Sequence, residues 1–348
     1  MFIDTLCPRG HKVFNELTLS AIKKVESKLI VVATQRCMNA TIDYEIPDKY
    51  FIDTTKEFIN IKSKIYYRIL EMKKWLWLLK LIKEIKPALI IISSYETITF
   101  AIFSRFINVP IMVFNHNNID EISVNKIKRA FFRCMPRNVT HVVFEKYMKD
   151  YLENVIKIKN NIVVLPHIVE ENKLDEEMYR ETSKLVLFAP SSSNDSSIIN
   201  DLKNKEEMLA EKSIFIIAKF SFHIEGENII LKNYFSNREY NKYMKTCTAI
   251  YAPLPNTFNY RISNVINEGI AYGKPIIASN TKYTKFLKKN YPSLIYIVNT
   301  NIFEERENIA KWLSEIKEVF WKDRMRFLKD HNEKRFMDIL SDYIKFIY

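Results

Sequence analysis

The chain has 348 residues, of which 47% are hydrophobic, 27% are charged and only four are glycine. This composition excludes a disordered or fibrous protein and is enough for two domains of ordinary size. The net charge of +12 suits a nucleic acid or an anionic membrane surface as a partner. However, the lysines are spread over nearly every predicted helix, so a solvated basic surface is the simpler interpretation and no nucleic-acid partner is expected.

Export and membrane-spanning signals are not evident along the chain. The short apolar run at the N-terminus is interrupted by Asp4 and Arg9, which is not typical of a signal peptide. No apolar run reaches the length of a membrane-spanning helix. The four cysteines lie far apart, without the spacing of a zinc site, and fit a reducing compartment. We therefore predict a cytoplasmic protein.

Short apolar runs alternate with longer amphipathic segments in two successive series. The first series predicts strands at 1–6, 29–34, 88–92, 110–114, 141–144 and 162–165, and helices at 64–86, 96–107, 121–134 and 145–156. The second predicts strands at 185–189, 213–218, 228–231, 248–252, 275–279 and 293–298, helices at 198–211, 237–246, 263–272 and 283–289, and one long helix over 303–347. Continuous Val, Ile and Leu runs bounded by helices indicate parallel strands covered on both faces, so two such series predict two doubly wound α/β domains.

The domain boundary is predicted between Pro166 and Thr182, in a charged stretch that lacks strand character and follows a proline. We expect an N-terminal Rossmann-like domain at 1–168, a C-terminal one at 169–330, and a final helix at 331–348 that could return to the first domain. Two such domains are expected to face each other across a cleft. The ligand groups should come from the loops that follow the carboxyl ends of the strands.

The segment 260–279 carries most of the functional argument, because it predicts a polar loop, a short helix, a tight glycine turn and a buried strand. Ser263 is a good N-cap for a helix whose first amides point outward, and Arg261 adds a planar donor fork suited to phosphate. Asn264 and Glu268 are four residues apart and share one helix face, where a carboxylate can accept hydrogen bonds from hydroxyls. An ordinary capped surface helix fits the same residues.

The run 267–279 (NEGIAYGKPIIAS) resembles the EA-x-A-x-G-x-P-V-I-A-S signature in the donor domain of GT-B glycosyltransferases. The most similar type is the large retaining family often called family 4. In that family the glutamate of the signature binds the ribose of a sugar nucleotide, and it corresponds to Glu268. Gly269 is expected to let the helix approach the neighbouring strand closely. The resemblance extends back through 239–251 and forward through the helix after Ser279.

Two positions depart from the pattern of that family. Tyr260 stands where the family usually has a second glutamate near the donor sugar. The arginine and lysine pair of the family is not evident after the first donor-domain strand, so Arg261 or Lys219 would supply charge for the diphosphate. The departures bear on the donor and on the stereochemistry of transfer more than on the fold.

Histidines at two predicted strand ends are candidate catalytic residues. The strand 110–114 leads to His116, which resembles the family's histidine facing the donor sugar, and a histidine there can bond a hydroxyl or relay a proton. A loop histidine satisfied by neighbouring asparagines is the alternative. His11 lies in the loop after the first strand, where inverting relatives can carry a catalytic base, although a helix-start residue is equally compatible. His167 is interpreted as a hinge residue.

Two further segments have a functional and a structural interpretation. Ser191, Ser192 and Ser193 follow the first strand of the second domain and can offer hydroxyls and amides to a phosphate, or cap the next helix. The helix at 66–86 interleaves tryptophans and leucines with five lysines. Such a helix can lie on an anionic membrane surface, which would suit a lipid-linked acceptor, or simply cover a sheet.

Taken with the resemblance, these features predict a glycosyltransferase that moves a sugar from a nucleotide-diphosphate sugar to a glycan or lipid-linked acceptor. Bacterial surface-polysaccharide synthesis at the inner face of the cell membrane is the setting that the family implies. We expect no cofactor and no metal, because a cation and a helix N-terminus can neutralise the leaving diphosphate and no DxD-type cluster is present. The alternatives are a nucleotide-sugar epimerase and a catalytically inactive GT-B-like binding protein.

Overall fold

The computed structural model describes residues 1–6, 12–35, 38, 40–51, 61–171 and 184–347, with side chains at 61–64 left aside. The chain divides into two compact units. The first comprises Met1–Ile168 with Asn332–Tyr348, and the second comprises Val169–His331. Each unit is built on one sheet with helices between successive strands. The predicted class, α/β with two doubly wound domains, is confirmed.

The first unit contains a parallel sheet. Its strands are β1 (Phe2–Asp4), β2 (Val31–Ala33), β3 (Tyr44–Glu45), β4 (Ile90–Ser94), β5 (Ile111–Phe114), β6 (Val139–Val143) and β7 (Ile162–Val164). They lie in the order β3-β2-β1-β4-β5-β6-β7, and every described pair is parallel. The chain order reverses between β1 and β4, and a crevice opens at such a switch point at the carboxyl ends of the strands.

The helices of the first unit cover this sheet. They are α1 (Lys12–Val25), α2 (Ile61–Ile85), α3 (Thr97–Phe103), α4 (Asn118–Val124), α5 (Lys126–Arg133), α6 (Lys146–Tyr151) and α14 (Glu333–Ile347). The last helix of the chain belongs to this unit. Lys24 of α1 pairs with Glu333 at 2.5 Å, and the ring of Phe336 stacks on Phe114 with 6.4 Å between centroids.

The second unit also contains a mainly parallel sheet. Its strands are β8 (Leu185–Ala189), β9 (Ile214–Lys219), β10 (Ile224–Glu225), β11 (Ile229–Lys232), β12 (Ala249–Ala252), β13 (Ile276–Ser279) and β14 (Ile295–Val298). They lie in the order β10-β11-β9-β8-β12-β13-β14, and only β10 among them is antiparallel to its neighbour. Apart from the edge strands β7 and β10, the second unit has the strand order of the first. The switch point therefore falls between β8 and β12. The helices are α7 (Ser196–Asn204), α8 (Glu206–Glu211), α9 (Asn237–Thr246), α10 (Asn264–Ala271), α11 (Lys282–Asn290), α12 (Arg306–Glu315) and α13 (Lys317–Asp330).

Three helices that the sequence predicts as continuous are interrupted in the structure. The long helix over 303–347 is three helices, α12, α13 and α14, and the last of its breaks is marked by Asn332, whose side chain accepts from the Arg335 amide at 2.8 Å. The helix at 121–134 is interrupted at Asn125, which caps α5 through the Lys128 amide at 3.0 Å. The helix at 198–211 is divided into α7 and α8 at Lys205. Side-chain caps start a new helix in the first two cases without any proline or glycine.

Candidate functional site in the second unit

The loops after β8 and β12 lie together at the switch point of the second sheet. The backbone amide of Asp195, in the first loop, donates to the carbonyl of Pro253, in the second, at 2.7 Å. Lys219 ends β9, whose residue Ala218 is paired with Ala189 of β8. The predicted residues at the ends of β8, β9 and β12 therefore lie at the carboxyl edge of the sheet. Ligands of doubly wound folds bind at this edge.

Helix α10 starts at this edge as the sequence predicts. Ser263 is buried and caps the helix, accepting from the Ile266 amide at 3.5 Å. Asn264, the first residue of the helix, is exposed. Capping by a small hydroxyl leaves the positive end of the helix dipole without a carboxylate of its own, so this N-terminus can accept an anion.

Gly269 lets α10 pack tightly on the sheet beneath it. A Cβ at this position would lie 2.6 Å from Cγ1 of Ile250 and 3.0 Å from Cδ1 of Ile276. The predicted close approach is therefore confirmed, since any side chain larger than hydrogen would displace these core residues. The helix ends at a turn in which Gly273 has a φ of 65°, a conformation that glycine adopts without strain.

Glu268, on the second turn of α10, is half-buried and bonded to a tyrosine of the neighbouring helix. The hydroxyl of Tyr240, on α9, donates to its Oε2 at 2.6 Å, while Oε1 accepts no hydrogen bond from any residue that the structure describes. Burial raises the pKa of Glu268, and the Tyr240 hydroxyl opposes that rise. The Tyr240 ring in turn contacts Phe188 of β8 with 5.6 Å between centroids. One oxygen of the Glu268 carboxylate is therefore held by Tyr240, and the other is available to a ligand.

Tyr260 and Arg261 precede α10 and pack differently. The guanidinium of Arg261 lies 4.4 Å above the ring of Phe258. Tyr260 is buried, and its hydroxyl accepts from the Lys282 ammonium, which also lies 4.5 Å from the ring centroid. Lys282 opens α11 directly after the β13 loop. Lys282 is not among the residues predicted from the sequence, because its partner Tyr260 lies 22 residues earlier in the chain.

The serine loop after β8 uses some of its polar groups in hydrogen bonds within the loop. The hydroxyl of Ser191 accepts from the Ser193 amide at 3.0 Å, and Ser192 is exposed. Asp195 caps α7 by accepting from the Ser197 hydroxyl at 2.6 Å and from the Ser197 amide at 2.9 Å, and these bonds, the hydroxyl's first, lower the pKa of Asp195. A carboxylate therefore occupies the N-terminus of α7, which makes α10 the better anion site of the two.

In the first unit, His116 lies just beyond the carboxyl end of β5 in an aromatic cluster. Its ring contacts Phe14 with 4.6 Å and Phe144 with 5.2 Å between centroids. His167 packs on the same two rings, at 5.2 Å and 5.4 Å. The side chain of Asn115 is used by Tyr95 and by backbone carbonyls of the sheet. His11, the other predicted catalytic histidine, lies outside the described residues.

Within the described ranges, the chain has neither a cluster of metal-ligating side chains nor a membrane-spanning helix. No group of three or more His, Cys, Asp or Glu side chains that could hold a metal ion occurs in them. Among the helices that the structure describes, none is both long enough and apolar enough to cross a membrane.

Comparison with known proteins rests on structure. No protein-family model and no curated protein matches the sequence. Sucrose-phosphate synthase from Thermosynechococcus elongatus is similar over 99% of this chain and 98% of its own, with a TM-score of 0.66 and 9% identity. A glycosyltransferase from Rickettsia africae is similar over 99% and 97%, with a TM-score of 0.65 and 12% identity. The chain has the GT-B fold.

A third structure with the GT-B fold is larger than this chain. TarM is similar over 79% of this chain, with a TM-score of 0.55 and 12% identity, but the match covers only 58% of TarM. The chain thus spans less than two thirds of the length of TarM. At these identities the comparisons establish the GT-B fold, while the function has to be argued from the site.

Proposed function

We propose that this protein is a glycosyltransferase that moves a sugar from a nucleotide-diphosphate sugar to a glycan or lipid-linked acceptor. The observation that carries the proposal is the half-buried Glu268 carboxylate, with Oε2 held by Tyr240, on a helix that starts at the switch point of a GT-B fold. A carboxylate there can accept hydrogen bonds from the two hydroxyls of a ribose. The diphosphate would then lie toward the start of α10.

The neutralisation of the diphosphate is assigned to the chain's own cations and amides. The N-terminus of α10 below Ser263 and Asn264 offers backbone amides, and Arg261 offers a planar guanidinium. Lys219 and the Ser191–Ser193 loop complete the polar edge. In the transfer, the bond between the sugar carbon and the leaving phosphate oxygen breaks while the acceptor oxygen bonds to that carbon. The electron pair of the broken bond stays on the phosphate oxygen, and the negative charge that develops on the leaving diphosphate is stabilised by these groups without a metal.

The first unit is assigned to the acceptor and to the reacting sugar. His116 is placed by its aromatic neighbours at the carboxyl end of β5, where an imidazole can bond a sugar hydroxyl or receive the acceptor proton. His11 stays a second candidate for that proton.

Solved structures of this fold support a nucleotide donor and varied acceptors. A TarM variant has been solved in complex with UDP, Fondaparinux and alpha-GlcNAc-glycerol, and Arabidopsis thaliana UGT89C1 with quercetin. For this chain we propose a glycan or lipid-linked acceptor in the assembly of bacterial surface polysaccharide, on the cytoplasmic side of the membrane. That setting rests on the resemblance of 267–279 to family 4.

A donor panel with product analysis tests the proposal. The purified chain is incubated with UDP- and GDP-sugars and candidate acceptors, and the free nucleotide and glycosylated product are quantified together. We expect stoichiometric release of nucleotide and product, lost in Glu268→Ala and retained in Glu318→Gln, a control at an exposed glutamate of α13. Interconversion of sugar nucleotides without release would instead indicate an epimerase. Release equal in wild type and Glu268→Ala would contradict the assigned site.

A further inference from the structure

A surface groove of about 580 Å³ lies in the first unit, between α2 and the short turn at Asp48–Tyr50. Aromatic and aliphatic side chains form its walls, and three lysines stand along it. Its lining is Lys49, Tyr50, Tyr66, Leu70, Lys73, Leu76, Trp77 and Lys80. A groove with apolar walls and one sign of charge suits a ligand that is apolar in one part and anionic in another.

Helix α2 continues the apolar surface beyond the groove. Ile65, Ile69, Met72 and Leu76 follow the i, i+4, i+7 and i+11 spacing of one helix face, and each is between 43% and 59% exposed. The opposite face, which carries Leu78, is buried in the core. The same helix thus covers the sheet with one side and presents a second apolar stripe to solvent, which monomeric proteins rarely do without a binding role.

Ion pairing differs between the lysines beside this stripe and the lysine on the buried face of α2. Lys49, Lys73 and Lys80 are exposed. The ion pairs that the structure describes for α2 are made by Arg68 and Lys74, not by Lys73 or Lys80. None of the described lining residues is acidic. By contrast, Lys74 on the buried face is neutralised by Glu71 at 2.5 Å. The inward-facing Lys74 is therefore paired within the helix, whereas Lys73 and Lys80, with no ion-pair partner among the described residues, can contact an external anion.

We propose that the groove and the exposed stripe of α2 bind the surface of an anionic lipid bilayer. The four aliphatic side chains would enter the region between head groups and acyl chains, while the three lysines contact lipid phosphates. A free nucleotide would engage the lysines but not the stripe. A second copy of the chain would cover the stripe but bring the lysines of both copies together. An anionic membrane satisfies both features.

This inference stands apart from the donor site, which lies in the other unit, and it deepens the proposed function by favouring a lipid-linked acceptor. The test is co-sedimentation of the full chain with vesicles of phosphatidylcholine alone or with 30% phosphatidylglycerol. We expect binding to the anionic vesicles only, weakened by salt. The triple variant K49Q/K73Q/K80Q should bind about a hundredfold more weakly, at about 1 kcal/mol or roughly fivefold per lysine.

Matched variants distinguish binding at this surface from a general effect of net positive charge. K311Q/K322Q/K329Q also removes three positive charges, but from exposed positions of the second unit. This control variant should bind the vesicles like wild type. Leu76→Glu should lose binding while keeping nucleotide affinity, which also reports that the chain is folded. Equal loss in both triple variants, full binding by the groove variants, or no binding of wild type to anionic vesicles would overturn the proposal. So would a wild-type dimer in ultracentrifugation that Leu76→Glu dissociates.

Discussion

Two carboxylates, one in each unit, have opposite environments. Asp4 ends β1 in the first unit and is fully buried, where Asn15 donates to Oδ2 at 2.6 Å and the Ser94 hydroxyl and Leu6 amide donate to Oδ1. Glu268 in the second unit is half-buried, and Tyr240 donates to one of its two oxygens. Asp4 ends a strand and has both oxygens bonded within the protein, whereas Glu268 lies on a helix and keeps one oxygen for a ligand.

This difference shows that a carboxylate near a switch point is not by itself a binding group. The Asp4 oxygens are consumed by the protein, so the side chain holds β1, β4 and α1 together. Glu268 keeps an oxygen for a ligand and incurs the cost of desolvation that raises its pKa. We therefore interpret the first carboxylate as structural and the second as functional, and stability measurements can separate the two roles.

The largest expected effect is on stability at Asp4. Asp4→Ala leaves the buried Asn15 amide and Ser94 hydroxyl without their acceptor, and should lower the free energy of unfolding by about 4 kcal/mol. Glu268→Ala loses one hydrogen bond but also removes a desolvated charge. This substitution should therefore change the free energy of unfolding by less than about 1 kcal/mol. Urea denaturation followed by circular dichroism measures both. If Glu268→Ala were as destabilising as Asp4→Ala, Glu268 would be structural too.

The next effect concerns the packing that positions Glu268. Gly269→Ala places a Cβ against Ile250 and Ile276, and should cost about 2 kcal/mol of stability through overpacking. Gly226→Ala is the control, because its Cβ would meet only the flexible end of the Glu206 side chain, and we expect a loss of about 1 kcal/mol or less. A neutral Gly269→Ala variant would show that α10 can move away from the sheet.

Much of this architecture can be predicted from the sequence, and the failures have identifiable causes. Continuous apolar runs marked the buried strands because both faces of each sheet are covered. The strands β3 and β10 were missed because they are two residues long and partly exposed at sheet edges. The breaks inside the predicted long helix depend on tertiary packing and on caps such as Asn332, without a helix-breaking residue.

The candidate site was predictable only in part. Ser263 as a cap and Gly269 as a close contact follow from local chemistry and were found. Tyr240 and Lys282 were not, because each reaches its partner, Glu268 or Tyr260, from a different helix more than 20 residues away. Spacing along one helix cannot reveal such a partner, and only the fold brings them together.

The smallest expected effect is a shift in the pH dependence of nucleotide affinity, which we assign to Glu268. A ribose hydroxyl needs the carboxylate form as acceptor, so nucleotide affinity should fall as the pH falls through the raised pKa of Glu268. Tyr240→Phe removes the hydroxyl that opposes this rise, so affinity should decline at a higher pH than in wild type, with a loss of about fivefold from poorer positioning. Calorimetric titrations across the acidic range measure the shift. Identical pH profiles for the two proteins would contradict the assigned contact.

The central claim is that Glu268 binds the nucleotide of the donor, and calorimetry of UDP and GDP tests it most directly. Wild type and Glu318→Gln should bind at least one of these nucleotides at a single site. Glu268→Ala, verified as folded by its denaturation midpoint, should bind that nucleotide at least tenfold more weakly. Failure of wild type to bind either nucleotide, or unchanged affinity in folded Glu268→Ala, would contradict the account.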